Sequence, residues 1–347
     1  MKALLLIPDQ YSLFKTIDTG LKANGVETVK VEYESFFRSS VNRFVKKYES
    51  LPNKIRKVWK EPYIKKVNEG YRQVFEKEQP SLVFIYNNQL IEPETVKYFR
   101  TKSKIVFFLG DNPFYTPTHD SNLAILFHAD YIMSPDTFWI KQLEQVGVQN
   151  LHFGVFGFNE DVFYPFEPSA EDYVKYKCDM AYVGTAQKNA WGYKRFLFLN
   201  NFLNLDLKAY ISGDSYNSKW KKYFPELEAK IVPYDSFNPG FNNLLSNCSK
   251  IYPVDLVPSL FNGVHIRIMD CIGSGIMPLI DYSSDLDIVF KDYSLPYIKN
   301  YNDAERIARH YIQNDTERET LMKGVREMVK EKYMPQTVIK GILENIA

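Results

Sequence analysis

Cysteine is scarce in this chain. Cys178, Cys248 and Cys271 are the only three among 347 residues, they stand far apart, and no CxxC pair occurs. That usage argues against a disulfide framework and against a cysteine-held zinc, and it leads us to expect a reduced, cytoplasmic protein with no metal. Long apolar runs are lacking too. The N-terminal ALLLI stops at Pro8, whereas a signal-peptide core needs roughly 7–15 apolar residues and a membrane span about 18 or more. Charge of one sign is also missing: 43 Lys and Arg stand against 42 Asp and Glu, a net +1, so no overall field favours nucleic acid. No GxGxxG, GxxxxGK[ST], GxSxG or HExxH occurs, which removes the main support for NAD, P-loop, hydrolase and metalloprotease chemistry.

What is present is an alternation. KALLLI (2–7), VETVKVEY (26–33), SLVFIY (81–86), KIVFFLG (104–110) and DYIMSP (130–135) read as strands, with helical spacing in 11–25, 93–102 and 121–129. The pattern restarts with CDMAYVGT (178–185), LKAYISG (207–213), KIVPYD (230–235), KIYPVDLV (250–257) and IMPLID (276–281). TERETLMKGVREMVKEKY (316–333) reads as an amphipathic helix N-capped by Thr316. Strands alternating with helices imply parallel sheets, so the fold class is α/β with two successive Rossmann-like, doubly wound domains. We expect a first domain over 1–158, a second over 159–333, and a C-terminal helix over 334–347 that packs back on the first.

Aromatic residues are plentiful, 16% of the chain with 25 Tyr and 25 Phe; such rings can fill a core or stack on sugars and bases. One stretch breaks the alternation. Residues 42–66 hold nine Lys or Arg against two Glu, interleaved with Phe44, Tyr48, Trp59 and Tyr63. It is either a solvated helical face or a peripheral contact with the anionic inner face of a membrane.

Ligands of open α/β sheets bind beyond the carboxyl ends of strands. Gly184, Thr185 and Lys188 follow the first strand of the second half, where backbone N–H groups and a helix N-terminus can receive a phosphate and Arg195 can add countercharge. Gly213 and Asp214 repeat that arrangement, and Tyr234 is read as a loop ring beside a base. In HIRIMDCIGSG (265–275), Arg267 and Asp270 are three apart and so share a helix face. They form either an ion pair with a Gly C-cap or a site in which Arg267 meets a diphosphate and Asp270 a ribose, with Gly273, Ser274 and Gly275 leaving room for the ligand. Asp285-Leu-Asp287 spells DxD but follows a strand and two serines, so we read it as a turn or cap.

DCIGSGIMPLID resembles the carboxylate-x4-Gly segment of nucleotide-sugar glycosyltransferases of the GT-B fold, and RIMDCIGSG resembles the Arg-x-x-acid-x4-Gly pattern of their CgeB-type (spore-protein glycosyltransferase-like) branch. Residues 134–165 are similar to that family's last N-domain helix, strand and linker, 179–185 to its nucleotide-domain entry strand, 107–115 to its D-x-P segment, and 301–333 to its closing helices. The resemblance implies metal-independent transfer of a sugar from a nucleotide-diphosphate donor, UDP-sugar first, to a glycan, lipid-linked or protein acceptor in cell-surface glycan synthesis, with no cofactor. It implies that Asp270 holds the ribose, that Arg267 and the Gly184–Thr185 turn hold phosphate, that Ser274 and Gly275 make close contact, and that Tyr234 lies near the base. On the same resemblance His265 would complete the donor set, and an acceptor-side domain over 1–158 would face a nucleotide-sugar-binding domain over 159–333 across a cleft. An inverting reaction would need a base; Asp111 is the first choice, with His119 beside it in sequence. Two features depart from the family: Asp270 stands where many members have Glu, and Asn262, eight residues earlier, stands where retaining members have Glu. These departures leave open a degenerate module acting as a coat or assembly protein; an epimerase of similar build is the other alternative.

Overall fold

Apolar runs bounded by turn residues become strands covered on both faces, as parallel sheets require. The structure, a computed structural model, describes residues 1–8, 13–36, 53–86, 90–114, 122–235 and 238–347. Its chain divides into two compact units, 1–155 together with 336–347, and 156–335.

In the first unit β1 (Lys2–Leu6), β2 (Glu27–Lys30), β3 (Leu82–Tyr86), β4 (Lys104–Phe108), β5 (Tyr131–Ser134) and β6 (Leu151–Phe153) form one sheet in the order β2-β1-β3-β4-β5-β6. Every pairing is parallel, with registers such as Leu4↔Val83 and Phe84↔Val106. Ala3, Leu4, Leu5 and Leu6 are wholly buried. The helix Pro335–Ile346 belongs to this unit: Ile339, Ile342 and Ile346 are buried, and its Gln336 carbonyl accepts from Asn24 Nδ2 at 2.9 Å.

In the second unit β7 (Cys178–Thr185), β8 (Leu207–Ser212), β9 (Ile231–Tyr234), β10 (Ser249–Val254), β11 (Met277–Asp281) and β12 (Tyr297–Ile298) pair in the order β12-β11-β10-β7-β8-β9, again all parallel. Counted from β7 this is the 3-2-1-4-5-6 order of a doubly wound nucleotide-binding sheet, whose connections reverse direction between its first and fourth strands. That reversal lies between β7 and β10, and it places the carboxyl ends of these two strands side by side. The two doubly wound α/β domains expected from the alternation are both present.

Several local expectations need correction. The strand β7 runs on through Thr185, so Gly184 lies inside it and not in the following turn. A Cβ at 184 would sit 2.6 Å from the Tyr182 hydroxyl; the missing side chain makes room for protein. Tyr234 ends β9 and is half-buried, with its ring stacked on Phe241 at 5.4 Å. The long helix starts at Asp315, so Thr316 lies in its first turn, and Asn314 before it makes no side-chain cap bond. β12, only two residues long, gives too short an apolar run to be read. Of the basic stretch, residues 42–52 and the side chains of 53–59 lie outside the described residues; the helix Asn53–Glu78 begins within it. Among the described residues no helix is long and apolar enough to cross a membrane.

Candidate functional site

The helix Ile266–Ser274 turns Ile268, Met269, Cys271 and Ile272 into the core, which is why its polar residues can be few. His265 caps its start: Nδ1 accepts from the Arg267 backbone N–H at 3.1 Å. Gly275 ends it in the left-handed region, φ +79°, with its N–H returning to the Ile272 carbonyl, the C-terminal geometry glycine adopts without strain. Gly273 is set by packing: a Cβ there would lie 2.6 Å from the Phe158 ring. Ser274 is buried and donates to the Asp270 carbonyl at 3.0 Å. The small residues 273–275 therefore serve helix packing and termination within the protein.

Arg267 and Asp270 do not pair with each other among the ion pairs of the structure. Arg267 turns instead to Asp255, the residue just beyond β10, with Nη1 3.5 Å from Oδ1. Asp255 is 1% exposed and fully engaged: Oδ1 accepts from the Tyr182 hydroxyl at 2.7 Å, and Oδ2 from Arg195 Nε at 3.0 Å. Burial by itself would lift this carboxyl, but the charges of Arg195 and Arg267 and the bonds from Tyr182 and Arg195 outweigh it and hold Asp255 well below the usual range. It is an anion at any physiological pH. Arg195 is 2% exposed and spends Nη1 on the Thr185 carbonyl at 2.6 Å. Its expected role as countercharge to a phosphate is thus corrected: it is sealed beneath the strand ends, bracing β7 against β10.

Arg267 differs from Arg195. Its side chain is 24% exposed, and its buried Nη1 makes no hydrogen bond among the described residues. The Tyr182 ring lies beneath it, 5.7 Å from the guanidinium carbon. Two arginines facing one carboxylate leave the cluster with a surplus positive charge. His265 does not change that sum, because burial and then the Arg267 charge push its ring down to about 3 and keep it neutral.

Asp270 stands in the same recess, crowded by protein yet with an edge open to solvent. Burial pushes its carboxyl up to about 8, against the opposing pull of Arg267. In the unfolded chain it would ionise near pH 4, so between those values the native state binds the extra proton and stability falls as pH rises. Asp270→Asn, which stays neutral, is expected to melt higher than the parent chain at pH 8 by about 1–2 kcal/mol, a figure reduced for the solvent-facing edge, with the gap closing by pH 4. Thermal unfolding across that pH range checks the sign; a gap that widens toward acid refutes the burial of this group.

The other singled-out residues spread around the strand ends. Thr185 is exposed, with Oγ1 3.0 Å from Ser212 Oγ. Lys188 and Asp214 are exposed in the turns after β7 and β8. Trp220 ties the first of these turns down, donating Nε1 to the Gln187 carbonyl at 2.6 Å. The Tyr234 hydroxyl is buried, with no hydrogen-bond partner among the described residues. In the first unit Asp111 is exposed in the bend after β4, and His119 lies outside the described residues. Of the DxD pair, Asp285 is buried while Asp287 is exposed and accepts from Tyr282 at 2.6 Å, so the two do not form one ligand set. Among the described residues no group of three His, Cys, Asp or Glu could hold a metal.

Sequence reasoning missed a second cluster at this end of the sheet. Asp281, the last residue of β11, is bonded by Lys194, by the Tyr301 hydroxyl at 3.2 Å and by the Leu256 N–H at 3.4 Å. Lys194 also donates to the Leu256 carbonyl at 2.9 Å. The signal for both clusters was an acid at the end of an apolar run, Val-Asp255 and Leu-Ile-Asp281, which reads as a strand terminus unless its partner is known.

Residues 195–344 match a family model described as glycosyl transferase-like. No curated protein sequence matches the chain. Among solved structures, sucrose-phosphate synthase from Thermosynechococcus elongatus superposes with a TM-score of 0.69 at 12% identity, covering 99% of this chain and 98% of that one. A glycosyltransferase from Rickettsia africae gives 0.66 at 13% identity, with 99% and 97% covered. An Anabaena protein, HepE, in complex with UDP and glucose gives 0.63 at 11% identity, with 100% and 99% covered. At such identities the likeness speaks for architecture, and the architecture is plain: this chain has the GT-B glycosyltransferase fold.

Proposed function

We propose that the chain is a glycosyltransferase that draws its sugar from a nucleoside-diphosphate donor held by the 156–335 unit. The observation that carries this reading is the surplus positive charge at the β7–β10 reversal, where Arg267 keeps a buried N–H without a hydrogen-bond partner beside the half-open Asp270. A guanidinium so placed suits the pyrophosphate of an activated sugar, and it stabilises the charge that develops on the leaving diphosphate without calling on a metal. Asp270, once ionised, can accept from both hydroxyls of a ribose. The glycosyl transferase-like match over 195–344 and the UDP and glucose bound by the Anabaena neighbour support the same class of donor. UDP-sugar is the first donor to try. The acceptor we assign to a surface glycan, a lipid-linked sugar or a protein. The Arg267-Ile-Met-Asp270 spacing, with Gly275 five residues on, supports reading the chain as one of the CgeB-type branch.

The test is a thermal-shift panel of UDP-, GDP-, dTDP- and ADP-sugars, followed by assay for release of the nucleoside diphosphate. One of the four is expected to raise the melting temperature by several degrees at about a hundred times its Kd. If none shifts melting and none is cleaved or transferred, the reading is wrong. Conversion of the donor to an epimer without release of nucleotide would mark an epimerase instead.

A further inference from the structure

We infer that Asp255 is a positioning residue, which aims the Arg267 guanidinium at a pyrophosphate group without touching that group itself. The inference rests on the donor reading above and adds to it the device that sets the strength of the anion site.

Asp255 cannot meet a ligand directly. It is buried at the floor of the recess, and both its oxygens already accept, Oδ1 from Tyr182 and Oδ2 from Arg195. Arg195 cannot meet one either, being sealed with the Thr185 carbonyl and Asp255 as its partners. Only Arg267 in this trio reaches the open side. Its hold on Asp255 is an ion pair at 3.5 Å with no hydrogen bond in it, longer than the 3.0 Å bond from Arg195. The acid is therefore satisfied mainly by Arg195 and Tyr182, and it restrains Arg267 while leaving that charge unquenched. Two neutral neighbours complete the arrangement: His265 carries no charge at neutral pH, and Asp270 titrates only near 8. With one carboxylate shared between Arg195 and Arg267, the described residues leave a surplus positive charge at Arg267, and that surplus favours an anion from outside.

Tyr182 is the gentlest handle on this device. Tyr182→Phe deletes one of the bonds that fix Asp255 and keeps the ring under both arginines. With Oδ1 released, Asp255 and Arg267 can close on each other, and Arg267 is drawn back from the open side.

Calorimetric titration reads the consequence in the intact chain, with inorganic pyrophosphate, the nucleoside diphosphate selected by the donor panel, and the matching nucleoside as probes. Tyr182→Phe is expected to weaken pyrophosphate and the nucleoside diphosphate by about tenfold each and to leave the nucleoside within twofold, because only the first two probes carry the charges that Arg267 meets. Asp255→Asn should move the same two affinities in the same direction, and circular dichroism verifies that each variant is folded. Equal losses for all three probes would mean a general loosening of the unit and would overturn the proposal, as would unchanged pyrophosphate affinity in folded Tyr182→Phe. A parent chain that binds pyrophosphate but no nucleoside diphosphate would sink the donor reading and leave the positioning role standing. A parent chain blind to pyrophosphate as well would end both.

Discussion

Asp255→Ala is expected to destabilise the 156–335 unit by about 3–5 kcal/mol, the cost of stripping a buried charge of its partner. Three consequences of the substitution act in the same direction. Arg195, 2% exposed, loses the carboxylate that neutralises it. Tyr182, also buried, loses the acceptor for its hydroxyl. Arg267 then faces Arg195 across the gap with no anion between them. Urea unfolding followed by a probe within this unit checks the size, and a loss under about 1 kcal/mol would mean that water reaches the cluster freely. The pH dependence is a second check. Because the Asp255 carboxyl is held below its unfolded value, its contribution is full above pH 4 and fades only as acid carries the solution through the lower native value. The gap between parent and variant should therefore stay constant from pH 5 to 8.

Arg267→Ala should give the opposite profile: a small change in stability, since Asp255 keeps Arg195, and a loss of about 100-fold in nucleoside-diphosphate affinity and in transfer from the donor sugar. Arg267→Lys should recover only part of it, because an ammonium cannot reproduce the planar fork of donors. Titration with the nucleoside diphosphate and steady-state kinetics provide the two readouts. A variant that binds and transfers like the parent would show that this guanidinium serves only the fold.

How much of this could be read from the sequence depended on how local each signal was. The central strands were legible because burial on both faces writes continuous apolar runs, as in Ala3–Leu6 or Leu279–Ile280, and the restart at Cys178 marked the second sheet. The helix Ile266–Ser274 and its glycine stop were legible for the same reason. The Arg267–Asp270 relation was not. Spacing put both on one face, yet the partner Arg267 took lies twelve residues back along the chain, beyond a strand end. Arg195 was misjudged by the same blindness, since its carboxylate is sixty residues away. The protein neighbours of Gly184 and Gly273 were not legible either, because a missing side chain looks alike in sequence whether a phosphate, a Tyr182 hydroxyl or a Phe158 ring fills the space.

The helix Pro335–Ile346 belongs to the first unit although the whole second unit precedes it in the chain. During synthesis, residues 156–335 emerge as an unbroken stretch and can settle as soon as they clear the ribosome. The earlier-made unit is complete only when Ile339, Ile342 and Ile346 have joined it. Of the two units, the one begun earlier is thus the one finished later, and its assembly must span the synthesis of the other.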